Sequence, residues 1–337
     1  MSIPLKTIIL SRTDGIGDVV LSLPVAYALK KANPSCCIVF LGSAYTRPLI
    51  DACVTIDYFL DWEDIRRQTF SKQLETIRAY DADAVVHLYP RRDIARLMAK
   101  AGIPLRIGTM GRLFHWNTCN KLVFVRRKNS RTHEALHNLR LVEKLCGRKY
   151  YDLEEIKTSF GLTRIPALEK HFEGLFSREK TSVVLHPCSK GSAREWGLEN
   201  FTELISILPK ERYSILVTGS QEERRSLTPF LDRHAGRIID LVGACSLGQL
   251  IAIISKADAL VAVSTGPLHI AAALGKKTIG LYAPKRSISP HRWGPLGINA
   301  SYLAVNKKCN KCSSVIACEC IKAISPQHVM ETLKRTM

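Results

Sequence analysis

Apolar residues along the chain fall into short, β-branched runs separated by stretches of helical period. Residues 7–11 (TIILS), 37–41 and 84–88 (AVVHL) predict strands, because continuous apolar runs of this length suit strands covered on both faces. Helical patterns lie between them over residues 19–31, around 46–53 and over 71–80. A polar, weakly patterned stretch from about 157 to 180 interrupts this alternation, which then restarts. Strands are predicted at 182–186 (SVVLH), 214–218 (SILVT), 238–241, 259–263 (ALVAV) and 278–282 (TIGLY), and helices at 198–208, 222–234, 247–255 and 268–274. Two blocks of strand–helix alternation predict an α/β protein of two Rossmann-like, doubly wound domains, residues 1–175 and 176–337, facing one another across a cleft. Ligands of such sheets gather beyond the carboxyl ends of the strands, so the loops that leave strands are the places to look for chemistry.

Composition agrees with this picture and adds a partner. With 337 residues and 46% apolar content, the chain is long enough for two cores and is neither disordered nor a disulfide-stapled mini-protein. Its 49 Lys+Arg against 30 Asp+Glu leave a net charge of +19, a field that draws in something anionic. The excess is local, since residues 84–151 hold 15 Lys+Arg against 3 Asp+Glu. Arg91 and Arg92 follow the 84–88 strand directly and are expected at an acceptor site, while Arg126, Arg127 and Lys128 suit an anionic leaflet or a solvated basic face. Nucleic acid is a weaker match to this charge, because no recognition motif is present and aromatic residues make up only 7% of the chain. The amino terminus has no small-residue cleavage site, and the most apolar stretch, residues 257–275, contains Asp258, Pro267 and His269. A cytoplasmic protein touching membranes only peripherally is expected. Of eleven cysteines, seven (Cys36, Cys37, Cys53, Cys119, Cys146, Cys188, Cys245) are scattered as reduced thiols would be. The other four, Cys309, Cys312, Cys318 and Cys320, have a spacing open to a tetrahedral thiolate zinc site, to reduced thiols or to a labile disulfide.

Three strand-end loops carry candidate chemistry. In the segment Val263-Ser264-Thr265-Gly266-Pro267-Leu268-His269, a strand gives way to a helix whose free N–H groups and positive dipole end suit a pyrophosphate. Ser264 or Thr265 can cap that helix, Gly266 admits close approach and His269 can donate to phosphate, although an ordinary turn with a packed histidine is the plainer alternative. The loop from Arg12 to Asp18 carries Gly15 and Gly17, but the third glycine of a dinucleotide fingerprint is missing. Asp18 there suits either a helix N-cap or a general base. In the third loop, residues 186–196, Lys190 and Arg194 can reach phosphate oxygens, the plainer alternative being a solvated basic loop with Trp196 packing beneath. Asp81-Ala82-Asp83 imitates a D-x-D metal motif, but it precedes a strand and is read as a solvated turn at the wrong end of the sheet.

Taken in order, these loops resemble glycosyltransferase family nine, the ADP-heptose:lipopolysaccharide heptosyltransferases. The matching pieces are Gly15-Ile16-Gly17-Asp18-Val19-Val20-Leu21-Ser22-Leu23-Pro24, Arg194-Glu195-Trp196-Gly197-Leu198-Glu199-Asn200-Phe201 and Ser264-Thr265-Gly266-Pro267-Leu268-His269-Ile270-Ala271-Ala272-Ala273-Leu274-Gly275. The resemblance implies a GT-B fold with an acceptor-binding first domain and a nucleotide-sugar-binding second one. It implies a metal-independent, inverting transfer of heptose from ADP-heptose to an anionic lipid A–Kdo core by a monomer at the cytoplasmic face of the inner membrane. Asp18 then matches the catalytic base and Arg194 the basic residue facing the donor phosphates. Gly15, Gly17, Arg91 and Arg92 fall to the acceptor. Ser189, Lys190, Ser264, Thr265, Gly266 and His269 fall to the donor, with Glu222 or Glu223 at the nucleoside. Ser264 stands where many members carry Asp, which leaves open a different nucleotide sugar. A non-catalytic sugar-nucleotide binder and a nucleic-acid-binding protein are the alternatives from other classes.

Overall fold

The computed structural model describes residues 5–127, 130–148, 151–285, 288–305 and 318–335. The chain divides into two compact units, Met1–Arg164 and Ile165–Met337. The first holds strands β1 (Thr7–Ser11), β2 (Cys37–Gly42), β3 (Tyr58–Asp61), β4 (Ala84–His87), β5 (Leu105–Thr109) and β6 (Lys121–Val123). The second holds β7 (Thr181–His186), β8 (Tyr213–Gly219), β9 (Ile239–Val242), β10 (Ala259–Val263), β11 (Lys277–Tyr282) and β12 (Ala300–Ala304). Their orders are β3-β2-β1-β4-β5-β6 and β12-β11-β10-β7-β8-β9. Every pairing is parallel. Read from each unit's own first strand, both sheets have the order 3-2-1-4-5-6 of doubly wound dinucleotide-type folds.

The sequence places the division near 175, whereas the structure ends the first unit at Arg164. The weakly patterned stretch is shared between the units for a physical reason. Its beginning returns to the first unit, where Leu162 bridges Cys53 and Gly161 O accepts from Val54 N at 2.7 Å. Its continuation belongs to the second, where the Gln249 side chain accepts from Glu169 N (2.9 Å) and donates to Ala167 O (3.1 Å).

Central strands are buried along almost their whole length, as the apolar runs predict. The predicted 19–31 helix is two helices, Ile16–Val20 and Leu23–Ala32. Ser22 Oγ donates to Val19 O at 2.7 Å, and Pro24, lacking an N–H, cannot continue the first helix. In the first unit Ile9, Val39, Val85, Leu97 and Met98 form part of the core. In the second, Trp196 and Phe201 pack with Val329 and Leu333 of the carboxyl-terminal helix Pro326–Lys334. That helix is tied down by Trp196 Nε1 donating to Ile324 O (2.8 Å) and by the buried Lys277 Nζ donating to Leu333 O.

Asp81-Ala82-Asp83 precedes β4, at the amino edge of the sheet. It is more than a solvated turn, because Asp83 Oδ2 accepts from Lys6 N (2.6 Å) and Thr7 N (2.9 Å) and so fastens the start of β1.

Candidate active site

The order of each sheet reverses between its first and fourth strands, which opens a crevice beyond the carboxyl ends of β1 and β4 in one unit and of β7 and β10 in the other. The sequence-predicted loops leave these four strands.

In the first unit, Asp18 lies in the first turn of the helix that follows β1. It does not cap that helix; Gly15 occupies the N-cap. A Cβ on Gly15 would lie 3.7 Å from Asp18 Oδ2, so any side chain there would stand over the carboxylate. Asp18 Oδ1 accepts from Arg12 Nη2 at 2.6 Å. Arg12, buried at 2% exposure, grips Asp14 through Nε (2.8 Å) and Nη2 (2.9 Å) and donates from Nη1 to Asn138 Oδ1 (3.1 Å). Asn138 Oδ1 also accepts from Arg127 Nη2 (3.1 Å), whose Nε donates to the buried Glu134 at 2.8 Å.

Burial pushes the Asp18 carboxyl up to about 6; Arg12 opposes the rise, and Asp14 and Glu134 add to it. Asp14 is likewise raised, mainly by burial. Burial disfavours the Arg12 charge, yet Asp14, Asp18 and Glu134 together outweigh it and hold the guanidinium protonated. The result is a carboxylate that is ionised at neutral pH yet keeps unusual affinity for a proton, and one face of it remains open. That is what a general base requires.

Arg91, at the N-cap of helix Arg92–Ala101, is committed locally: it pairs with Asp93 (2.5 Å) and lies 5.5 Å from the Trp62 ring centroid. Arg92 beside it is exposed. The sequence reading missed His87, which ends β4 opposite Ser11. Burial and its neighbours His115 and Arg106 push it down to about 3, and it stacks on His115 with centroids 5.4 Å apart. The two ring nitrogens of His87 and Ser11 Oγ are buried with no partner among the described residues.

In the second unit the loop after β7 turns on two left-handed residues, Lys190 (φ 47°) and Gly191 (φ 79°). Ser189 spends its polar groups inside the loop, its N and Oγ both donating to Glu195 Oε1 (2.9 and 3.2 Å). Lys190 reaches across to Glu222 at 2.9 Å, and this hydrogen bond is the main reason the Glu222 carboxyl drops to about 2. Glu223 turns inward: Oε2 accepts from Ser220 N (2.8 Å), while Oε1 is buried with no partner among the described residues. His186, at the end of β7, lies 3.0 Å from Thr218 Oγ1 and is pushed by burial down to about 4.

Ser192 Oγ donates to Ser264 O (3.4 Å), which links this loop to the one after β10. There Thr265 is the N-cap of helix Gly266–Ala273, but its hydroxyl caps nothing and is buried with no partner among the described residues. His269 is buried one turn on, and Arg194 is half-buried in the β7 loop. The structure thus gathers Lys190, Glu222, Ser264 and Thr265 at one switch point, with first-turn amides beside them, an arrangement suited to a polyanionic ligand.

Cys309 and Cys312 lie outside the described residues, as does Lys128. Cys36, Cys37, Cys53, Cys119, Cys146, Cys188 and Cys245 are free thiols, as their scatter along the chain predicts, and among the described residues no helix is long and apolar enough to cross a membrane.

The profile of glycosyltransferase family 9 (heptosyltransferase) matches residues 71–320. The chain belongs to this family. A Haemophilus influenzae chain described only as a glycosyltransferase is 26% identical over 303 residues, covering 87% of this chain and 86% of that one. The lipooligosaccharide heptosyltransferase 2 of Campylobacter jejuni is 20% identical over 330 residues, covering 95% and 96%. Among solved structures, Escherichia coli ADP-heptose lps heptosyltransferase II superposes with a TM-score of 0.76 at 20% identity, covering 97% of both chains. That likeness shows the fold, two Rossmann-like sheets of GT-B type. As a family 9 member the chain is a glycosyltransferase. The family profile begins downstream of the Asp18 loop, so the case for that residue stands on its geometry.

Proposed function

We propose that the chain transfers a heptose from ADP-heptose to the lipid A–Kdo inner core of lipopolysaccharide, with inversion at the anomeric carbon, as a monomer at the cytoplasmic face of the inner membrane. The reading is supported by family membership, by relatives named as lipopolysaccharide heptosyltransferases, and above all by Asp18, a carboxylate raised to about 6 at the switch point of the first unit.

In this mechanism the first unit takes the acceptor and the second the donor. Asp18 accepts the proton of the acceptor hydroxyl as its oxygen forms the new bond to the anomeric carbon. The bond from that carbon to the nucleoside diphosphate breaks, and the sugar passes through oxocarbenium character. Lys190, Arg194 and the amides from Gly266 onward meet the charge of the departing diphosphate; fixed donors of this kind act without reorganising during the reaction. Thr265 Oγ1 and Glu223 Oε1, both buried and without partners among the described residues, are assigned to a donor phosphate oxygen and a ribose hydroxyl. His269 stands beside the phosphate, and Gly15, Gly17, Arg91 and Arg92 line the acceptor.

A different nucleotide sugar is the second reading, favoured by Ser264, which brings a hydroxyl where many members carry a carboxylate. A donor panel of ADP-heptose, UDP-sugars and GDP-sugars against lipid A–Kdo acceptors separates the two. With the preferred donor, Asp18→Asn is expected to lower kcat by roughly a hundredfold or more. Transfer at the wild-type rate by that variant would overturn the assignment of the base.

A further inference from the structure

At the carboxyl edge of the first sheet, four large apolar side chains are left in solvent. Leu113 is 86% exposed, Phe124 64%, Trp116 56% and Met110 39%. They form one cluster. Thr109 and Val123 pair at the ends of β5 and β6, so Met110 and Phe124 leave the sheet side by side, and Met110 N donates to Val123 O at 3.0 Å. Helix Leu113–Thr118 follows at once, and Trp116 Nε1 donates to Met110 O at 3.0 Å, which fixes the indole with its ring uncovered. Nothing in the folding of the unit calls for this exposure, since the same short helix buries His115 and Thr118.

The charge around the cluster is of one sign. Residues 84–127 hold nine Lys+Arg against a single carboxylate, Asp93, which is held by Arg91. Arg92, Arg96 and Lys100 recur every fourth residue on the exposed face of helix Arg92–Ala101, which packs against helix Leu113–Thr118. Arg112 and Arg126, both exposed, flank the apolar tip from within the cluster's own loops. None of these five cations forms an ion pair among the described residues. An apolar tip carrying leucine, phenylalanine and an interfacial tryptophan, ringed by uncompensated arginine and lysine, complements an anionic bilayer: the side chains enter the headgroup boundary while the cations meet lipid phosphates.

We propose that Met110, Leu113, Trp116 and Phe124 form an apolar wedge that seats the first unit on an anionic lipid surface, with the flanking basic residues as its electrostatic collar. The proposal extends the reading of a glycolipid acceptor by assigning a lipid contact distinct from the sugar site. The wedge stands at the carboxyl edge of the sheet, the edge that also carries Asp18.

The test is co-flotation of the full chain with phosphatidylglycerol-containing vesicles and with pure phosphatidylcholine vesicles. The wild type is expected to partition onto the anionic vesicles and to lose most of that binding in high salt. Leu113→Ser and Phe124→Ser are each expected to weaken partitioning about tenfold, and Arg112→Gln and Arg126→Gln about fivefold on anionic vesicles only. Lipid brominated in its acyl chains should quench part of the tryptophan fluorescence, and Trp116→Phe should abolish that component. Equal partitioning of wild type and serine variants, or quenching that survives Trp116→Phe, overturns the wedge. So does a serine variant that changes the oligomeric state in place of vesicle binding, since the cluster is then an interface between copies. Transfer to a deacylated acceptor in solution, expected unchanged in Leu113→Ser and Phe124→Ser, separates the two readings. If the wild type binds vesicles but transfers no sugar, the proposed reaction fails and the wedge stands; if it transfers but never binds, the wedge alone fails.

Discussion

Replacing Asp18 by Asn is expected to slow transfer by roughly a hundredfold or more while strengthening the fold. In the native state the carboxyl is raised from 3.8 to about 6, chiefly because burial strips its hydration. At about 1.4 kcal/mol per pH unit, that rise sets a ceiling of roughly 3 kcal/mol on the cost of keeping Asp18 ionised. The side chain retains 31% exposure, and solvent screening reduces the figure to about 1–2 kcal/mol. Asparagine removes the charge, and Arg12 keeps both of its bonds to Asp14. Because the folded value is raised, the folded protein holds the proton more tightly than the unfolded chain does. The penalty is therefore fully present above about pH 6 and vanishes below about pH 4. Urea unfolding followed by fluorescence should show Asp18→Asn more stable than wild type near neutral pH, with the advantage shrinking toward pH 4. The wild-type kcat/KM should fall on an acid limb near pH 6. An asparagine variant that is no more stable at neutral pH, or whose advantage does not depend on pH, would mean that Arg12 holds the carboxylate more strongly than burial opposes it; the poised base would then be lost.

Thr265→Val should leave the unfolding midpoint unchanged or slightly higher, because the hydroxyl it removes has no partner among the described residues. It should raise the donor KM about tenfold through the lost hydrogen bond to a charged oxygen, as steady-state donor titration would show. Lys190→Ala should also spare the midpoint, since its pair with Glu222 is 60% and 76% exposed, yet raise the donor KM; an unchanged KM would remove Lys190 from the phosphate site. Leu333→Ala empties a fully buried position beneath Trp196 and Phe201 and should cost about 2–4 kcal/mol in denaturant unfolding.

Central strands were legible in the sequence because strands buried on both faces are written as unbroken apolar runs, as in β1 and β10. Three of the four edge strands, β3, β6 and β12, were not, whereas the fourth, β9, was predicted at 238–241. β3 and β12 expose Tyr58 and Tyr302, and β6 has only three half-buried residues; short pairings of that kind show no periodicity. β5 escaped as well, because Arg106 and Gly108 interrupt it. Asp18 was legible from its place after a strand and within a motif. The groups that set its proton affinity were not, since Arg12 meets Asn138 across 126 positions of sequence, and no local pattern foretells which loop will return to cover which carboxylate. Glu222 and Glu223 were equivalent in sequence. The helix start distinguishes them, turning one outward to Lys190 and the other inward to Ser220 N.

Three aspartates do one structural task at the amino edges of the two sheets. Asp57, just before β3, accepts from Ile38 N at 2.7 Å. Asp83, just before β4, accepts from Thr7 N at 2.9 Å, and Asp258, just before β10, accepts from Ser182 N (2.7 Å) and Ser182 Oγ (2.6 Å). In each case the aspartate's own N–H returns a bond to the same residue. The carboxylate thus satisfies the N–H of the residue just before each of these strand pairings begins. These three acids serve the fold at the amino edges, while the residues assigned to chemistry, Asp18, Lys190 and Arg194 among them, follow the carboxyl ends of strands. If the D-x-D resemblance at Asp81 and Asp83 is structural and not catalytic, Asp83→Ala should cost about 1–2 kcal/mol by orphaning Lys6 N and Thr7 N. Hydrogen exchange should then quicken at the starts of β1 and β4, and transfer per folded molecule should remain as in the wild type. Loss of transfer with exchange at those strands unchanged would instead place Asp83 in the chemistry and refute the division of labour between the two edges.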